Sequence, residues 1–168
     1  LLILQLEKGY WEKPQGKLLK SLYQTEQLNW KSSQFLETDM ASIFSKIVAG
    51  EIPSFKVHED NNYYAFLDIN PNSVGHTLCI PKKEVDKIFD LSEKDFIGLM
   101  NFSRTVAIAI KKAIPCKRVG ISVIGLEVPH AHVHLIPLQD MGDATFQKKV
   151  SQSPDEFKQT ALEIRKHL

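Results

Sequence analysis

Glu127-Val128-Pro129-His130-Ala131-His132-Val133-His134-Leu135-Ile136-Pro137 carries the strongest structural signal in the chain. Three of the six histidines fall here within five residues, alternating with Ala131, Val133 and Leu135. A β-strand sends successive side chains to opposite faces, so one face reads as imidazole and the other as aliphatic. Rings two residues apart then stand ~7 Å from one another, a spacing at which several can meet one small charged group. A helix would scatter them around its axis. Histidine changes charge near neutral pH and serves as nucleophile, general acid or base, or metal ligand. A phosphate and a metal both fit the pattern, since His-x-His on a strand is also a zinc-ligand arrangement.

Working back from this strand, Arg118 to Ile124 reads as its antiparallel partner, with Gly125 as a tight turn between them. Before it lies a long helical stripe of Phe96, Leu99, Met100, Val106, Ala107, Ile110 and Ile114. Ser92 is its N-cap with an acid three residues on, Leu91 and Phe96 suit a hydrophobic staple, and Pro115 ends it. That gives ~22 residues and ~33 Å. Arg104, Lys111 and Lys112 read as its solvated side. Ahead of the helix, Phe55 to His58, Tyr63 to Ile69 and Thr77 to Ile80 read as strands, the first two joined by Asp60-Asn61-Asn62. His58, at the mouth of that turn, reads as exposed and non-catalytic. Ser42 opens a short helix carrying Ile43, Phe44, Ile47 and Val48 on one stripe, with Gly50 as its stop. Asp68 interrupts an apolar run, where a carboxylate is costly without hydrogen bonds; it either caps the turn before Asn70-Pro71 or grips a ligand's hydroxyl pair. His76 follows a turn and suits a structural or a functional role equally. Past Pro137, Asp140 to Ser153 reads as polar loop, and Ser153-Pro154-Asp155-Glu156 opens a terminal helix with proline at its first position. The sum is an α+β fold: an antiparallel sheet of about five strands, one long helix packed across it, and short N-terminal and C-terminal helices.

The 168 residues suffice for one domain with a real core. Twenty-one basic residues against 20 acidic leave no broad nucleic-acid footprint. Two cysteines, Cys79 and Cys116, are too few for a disulfide framework or a cysteine-based zinc site, and Cys79 reads as core. No run approaches the ~18 apolar residues of a membrane span, and Leu1-Leu2-Ile3-Leu4 is too short for a signal-peptide core. A reduced, cytoplasmic setting is expected. Residues 1–39 lack a sustained period and Met40 directly precedes the first well-formed element. They read as upstream or disordered sequence, with a native amphipathic arm (Leu18, Leu19, Leu22) as the alternative. Residues 40–138 form the expected domain, and 139–168 a C-terminal loop and helix.

Several pieces in order now carry a resemblance: Ile43-Phe44-Ser45-Lys46-Ile47, Glu51-Ile52-Pro53, Ala65-Phe66-Leu67-Asp68-Ile69-Asn70-Pro71, Gly75-His76-Thr77, Ile80-Pro81-Lys82 and the histidine strand. From about Ala41 to Pro137 the chain resembles the histidine triad (HIT) superfamily, in its bacterial Hint-like branch. The resemblance implies cleavage at the α-phosphate of a purine nucleotide. His132 would be the nucleophile, forming a nucleotidyl-histidine that water hydrolyses, with His130, His134 and His76 in support and no cofactor or metal required. It implies that Asp68 accepts hydrogen bonds from the ribose, that Ile43, Phe44, Ile47, Phe66 and Ile69 line the base pocket, and that the chain pairs as a homodimer. A nucleoside phosphoramidase leads; a dinucleoside polyphosphate hydrolase and a binding module with little turnover are the alternatives. Two departures stand out. Ser42 and Ser45 occupy the positions of a Cys-x-x-Cys found in many relatives, which argues against structural zinc. Leu126 takes the place of a glutamine, and Ser122, near a family asparagine, offers partial compensation.

Overall fold

The computed structural model describes residues 41–168. The expectations for residues 1–39 and for Met40 lie outside the described residues. Five strands form one antiparallel sheet: β1 Lys56–Glu59, β2 Tyr63–Leu67, β3 Thr77–Pro81, β4 Arg118–Ser122 and β5 Val133–Leu138, in the order β1-β2-β3-β5-β4. Among the described residues three α-helices accompany it: α1 Ile43–Val48, α2 Glu93–Ala113 and α3 Pro154–Arg165.

Local signals set the boundaries. Asp60 Oδ1 accepts the amides of Asn62 (2.8 Å) and Tyr63 (2.7 Å), which closes the β1–β2 turn. Ser92 Oγ accepts the Asp95 amide at 3.1 Å and starts α2; Ser153 and Glu156 cap α3 reciprocally, with Pro154 at the first position. Gly50, at φ +78°, supplies the left-handed residue just past α1. Gly98 sits inside α2 because a Cβ there would collide with the Tyr63 ring and hydroxyl; that hydroxyl instead donates to the Asp95 carbonyl at 3.1 Å.

The central strands β2, β3 and β5 are buried on both sides of the sheet, and the two sides differ. Val57, Ala65, Leu67, Cys79, Val133 and Leu135 face α2 and α3 in the main core. Cys79 is fully buried, and burial pushes its thiol up to about 12, so it is an inert core residue as expected. On the opposite side Tyr64, Phe66, Leu78 and Ile80 pack with Phe44 and Ile47 of α1 in a smaller apolar cluster. His134, directly across from Leu78 in the β3–β5 register, lies on this second side.

Three expectations are corrected. The histidine stretch is not all strand: β5 begins at Val133, because its neighbour β3 pairs only through Thr77, Leu78 and Cys79. Upstream, the Ala131 amide donates to the Val85 carbonyl (2.7 Å), and the His130 amide to Val128 (2.8 Å). The β4–β5 link is a loop over 123–132, with Gly125 at φ +70° within it, in place of a tight turn. Residues 140–153 are no plain polar loop: Met141–Ala144 form a 3-10 turn capped by Asp140, and Asp143 is buried. Smaller shifts are the end of β2 at Leu67 and the position of His58, which is half-buried and stacked on Phe102 at 5.1 Å.

Candidate active site

The three triad histidines and His76 are all buried, His76 and His130 completely. The Phe44 ring from α1 meets His130 (5.9 Å) and His132 (5.2 Å) edge-on, and His132 meets His134 at 4.8 Å. All three triad rings therefore share one side, as the alternation predicts, although His132 and His134 lean closer than the strand spacing.

Backbone groups fix the proton on each ring. A carbonyl can only accept, so His132 Nδ1, 2.6 Å from the His130 carbonyl, carries the hydrogen and leaves the Nε2 lone pair free. His130 Nε2 likewise donates to the Pro81 carbonyl (2.8 Å), and its Nδ1 accepts from Ser42 Oγ (2.8 Å). An amide can only donate: the Asn72 N–H reaches His76 Nδ1 at 3.1 Å, so a neutral His76 bears its proton on Nε2. Nε2 is 3.0 Å from His134 Nδ1, which must accept. The His134 proton is thereby placed on Nε2. The result is one bare nitrogen on His132 and one N–H donor on its neighbour, with tautomers set by main-chain atoms.

Burial favours the neutral form of His76, His130 and His134. It pushes His76 down to about 3, helped by the positive Lys149 and by His132. Burial first, then His76 and His132, also lowers His134, with Asp68 opposing. His130 is lowered by burial against the contrary pull of its Pro81 hydrogen bond and Glu84.

Asp68 is buried at the turn before Asn70-Pro71. Oδ1 accepts the Asn70 amide at 2.8 Å, which caps the turn; Oδ2 stands 3.6 Å from His76 Nδ1. Among the residues expected around a base, Phe44, Ile47 and Phe66 are buried together, with Ile43 against them. Ile69 is 43% exposed and lies outside that cluster. Ser122 ends β4 opposite His134 in register. On its other flank His132 borders a cleft of about 400 Å³, with Ile88, Phe89, Phe96, Met100, Val123 and Ile124 among its walls.

Asp68, His76 and His134 bring ligand-type atoms within 4.8 Å of one another. Their hydrogen bonds do not suit a cation, since both nitrogens of His76 are engaged and Nδ1 of His134 is turned to it. Ser42 and Ser45 belong to a hydrogen-bonded group instead. The Ser42 amide donates to Glu84 Oε2 at 2.9 Å, Ser45 Oγ donates to the same oxygen, and Ser42 Oγ meets His130. Glu84 was not legible in the sequence, lying 39 and 42 residues from these partners.

Residues 49–141 match the profile described as the HIT domain. The chain belongs to the HIT family. An uncharacterized HIT-like protein of Borreliella burgdorferi is 34% identical, over 73% of this chain and 94% of its own length. The adenosine 5'-monophosphoramidase of Saccharomyces cerevisiae is 40% identical, over 61% of this chain and 65% of its own. Among solved structures, a HIT-like protein from Bartonella henselae superposes with a TM-score of 0.68 at 29% identity, covering 78% of this chain and 99% of that one. Among the described residues no helix is long and apolar enough to cross a membrane.

Proposed function

We propose that this HIT protein is a nucleotide hydrolase that cleaves at the α-phosphate of a purine nucleotide, with a nucleoside phosphoramidate as its substrate. The observation that carries the reading is the bare Nε2 of His132, created by the 2.6 Å bond from Nδ1–H to the His130 carbonyl. A neutral imidazole with a fixed lone pair is a competent nucleophile. Its attack forms an Nε2–P bond; the P–N bond breaks, and the electron pair leaves with the amine, which takes up a proton. Water then cleaves the nucleotidyl-histidine. His134, neutral and protonated on Nε2, donates to a phosphoryl oxygen as negative charge develops there. Asp68 Oδ2 accepts from the ribose, Phe44, Ile47 and Phe66 hold the base, and the leaving group occupies the cleft beside Val123 and Ile124. The yeast phosphoramidase supports the choice of substrate.

The proposal includes a homodimer. β4 is an edge strand, and Ile121, Ile97 and Ile108 stand 53%, 50% and 42% exposed on β4 and α2, an apolar surface suited to a second copy.

Mass spectrometry after brief mixing with an adenosine 5'-phosphoramidate tests the chemistry. One added nucleotidyl group, absent from His132→Ala, is the expected result. Binding without adduct or turnover would sink the enzyme reading and leave a nucleotide-binding surface. Leu126 favours that second reading, since it is 88% exposed where a glutamine would offer a polar contact.

A further inference from the structure

The matched HIT region ends at Met141, yet the chain that follows folds back against the site. The Val150 amide donates to the Pro71 carbonyl at 2.9 Å. Lys149 Nζ donates to the Asn70 carbonyl (3.0 Å) and to Asn72 Oδ1 (2.8 Å). Asn72 is fully buried, and its Nδ2 donates to the Asp143 carbonyl at 2.9 Å. Asp143 is itself held by the Gln139 amide (2.8 Å) and Lys148 (2.6 Å). Both ends of the Asn72 side chain are thus taken by this segment, while its amide is the donor that sets His76. Phe146 lies against His134 (5.0 Å) and His76 (6.1 Å), and Lys149 covers its ring at 5.5 Å. Phe146 has φ +61°, a left-handed conformation that disfavours any residue with a Cβ, so surrounding contacts must impose it.

We propose that residues 143–149 are a strap that positions the His76–His134 pair, with Lys149 as a positioning residue that acts through Asn72 and Phe146 as one that acts by direct contact with the two rings. Its value follows from the competing tautomer. Asp68 Oδ2, 3.6 Å from His76 Nδ1, would draw the proton there if the Asn72 amide moved away. His76 Nε2 would then accept from His134 Nδ1–H, and His134 would turn a lone pair, not an N–H, toward the phosphoryl group. The charged or titratable groups facing the pair are Asp68, His132 and Lys149, and of these only Lys149 comes from the strap. By clamping the turn over 70–72, the strap keeps the amide on Nδ1.

The kinetic arm rests on the hydrolase reading; the spectroscopic arm does not. Two-bond nitrogen–proton correlation spectra of 15N-histidine-labelled protein report which nitrogen of each ring is protonated. Wild type is expected to show His76 and His134 as Nε2–H tautomers. Lys149→Met and Phe146→Leu, which retain side-chain bulk, are expected to shift one or both rings toward Nδ1–H. If nucleotide is hydrolysed, kcat should fall about 10- to 100-fold with KM little changed, because the reacting groups are misplaced but the base and ribose contacts remain. Lys149→Arg should recover most of the loss. Unchanged tautomers in both folded variants would overturn the proposal whatever the activity. Altered tautomers without any turnover in wild type would uphold the strap and remove the hydrolase reading.

Discussion

The central strands β2, β3 and β5 are buried on both sides of the sheet, but different physics holds the two sides. Toward α2 and α3 the contacts are Leu, Val, Ala and Phe, where stability follows area and fit, and volume-conserving exchange is tolerated. Toward α1 the apolar cluster gives way to His76, His130, His132, His134, Asp68 and Asn72, every one hydrogen-bonded, and all but His134 to at least one partner of fixed donor or acceptor character. A buried polar group left without its partner costs about 1–3 kcal/mol, so this side tolerates few exchanges. The α2 side is built for stability, and the α1 side to hold protons on chosen nitrogens.

The two sides separate most sharply at two positions three residues apart, His132 and Leu135. As the proposed nucleophile His132 has no substitute, so His132→Ala should lower turnover at least about 10⁴-fold, while its stability loss stays within the about 1–3 kcal/mol of a buried carbonyl that loses its donor. Activity retained within tenfold would remove His132 from the nucleophile's role. Leu135→Ala, on the main-core side and fully buried, should behave in the opposite way: a loss of about 2–5 kcal/mol in urea unfolding, with near-normal turnover by the fraction that stays folded. A smaller effect separates the faces by pH. His76 is held at about 3 against an ordinary 6.5, and His134 is lowered as well. Between these values the unfolded chain binds protons that the folded chain refuses. Stability should therefore be flat above about pH 7 and fall as pH drops from 6.5 toward 3. Below about 4.5 the lowered carboxylates Glu59 and Asp143 add to the loss. Calorimetry at pH 5 and 7 reads the histidine window, and a melting temperature equal at both would contradict it. His76→Gln should make the slope shallower.

What could be read in the sequence was local. The period of α2, the serines at its start and at α3, the Asp60 turn and the histidine alternation each occupy a few consecutive residues, so each carries its own signal. Asp68 showed itself as one acid in an apolar run. The hidden parts depend on distant segments. Lys149 meets Asn70 and Asn72 across 79 and 77 residues, and nothing in Lys148-Lys149-Val150 marks one lysine as different from the other. Phe146 looks like any aromatic in a loop. The histidine stretch misled for a related reason: alternation predicts which side the rings share, but strand hydrogen bonds need a neighbour, and β3 supplies one only from Thr77 to Cys79.

The finest comparison uses two serines in equivalent roles. Ser42 and Ser92 each begin a helix, and each Oγ accepts an amide three residues on at 3.1 Å, from Ser45 and Asp95. They differ in where the hydroxyl proton goes: Ser92 donates to the Asp95 carboxylate in solvent, Ser42 to His130 Nδ1 in the buried site. Ser92→Ala should therefore cost about 1 kcal/mol, the ordinary loss of a cap, and leave chemistry untouched. Ser42→Ala removes an equal cap and also strands an acceptor on a fully buried ring, which adds about 1–3 kcal/mol. It should disturb activity too, since the His130 carbonyl is what holds the proton on His132 Nδ1. Parallel unfolding curves with turnover measured on both variants would read the difference. Equal losses would mean that the His130 ring finds water or a second donor when Ser42 is gone, and that the α1 side is less tightly specified than its hydrogen bonds indicate.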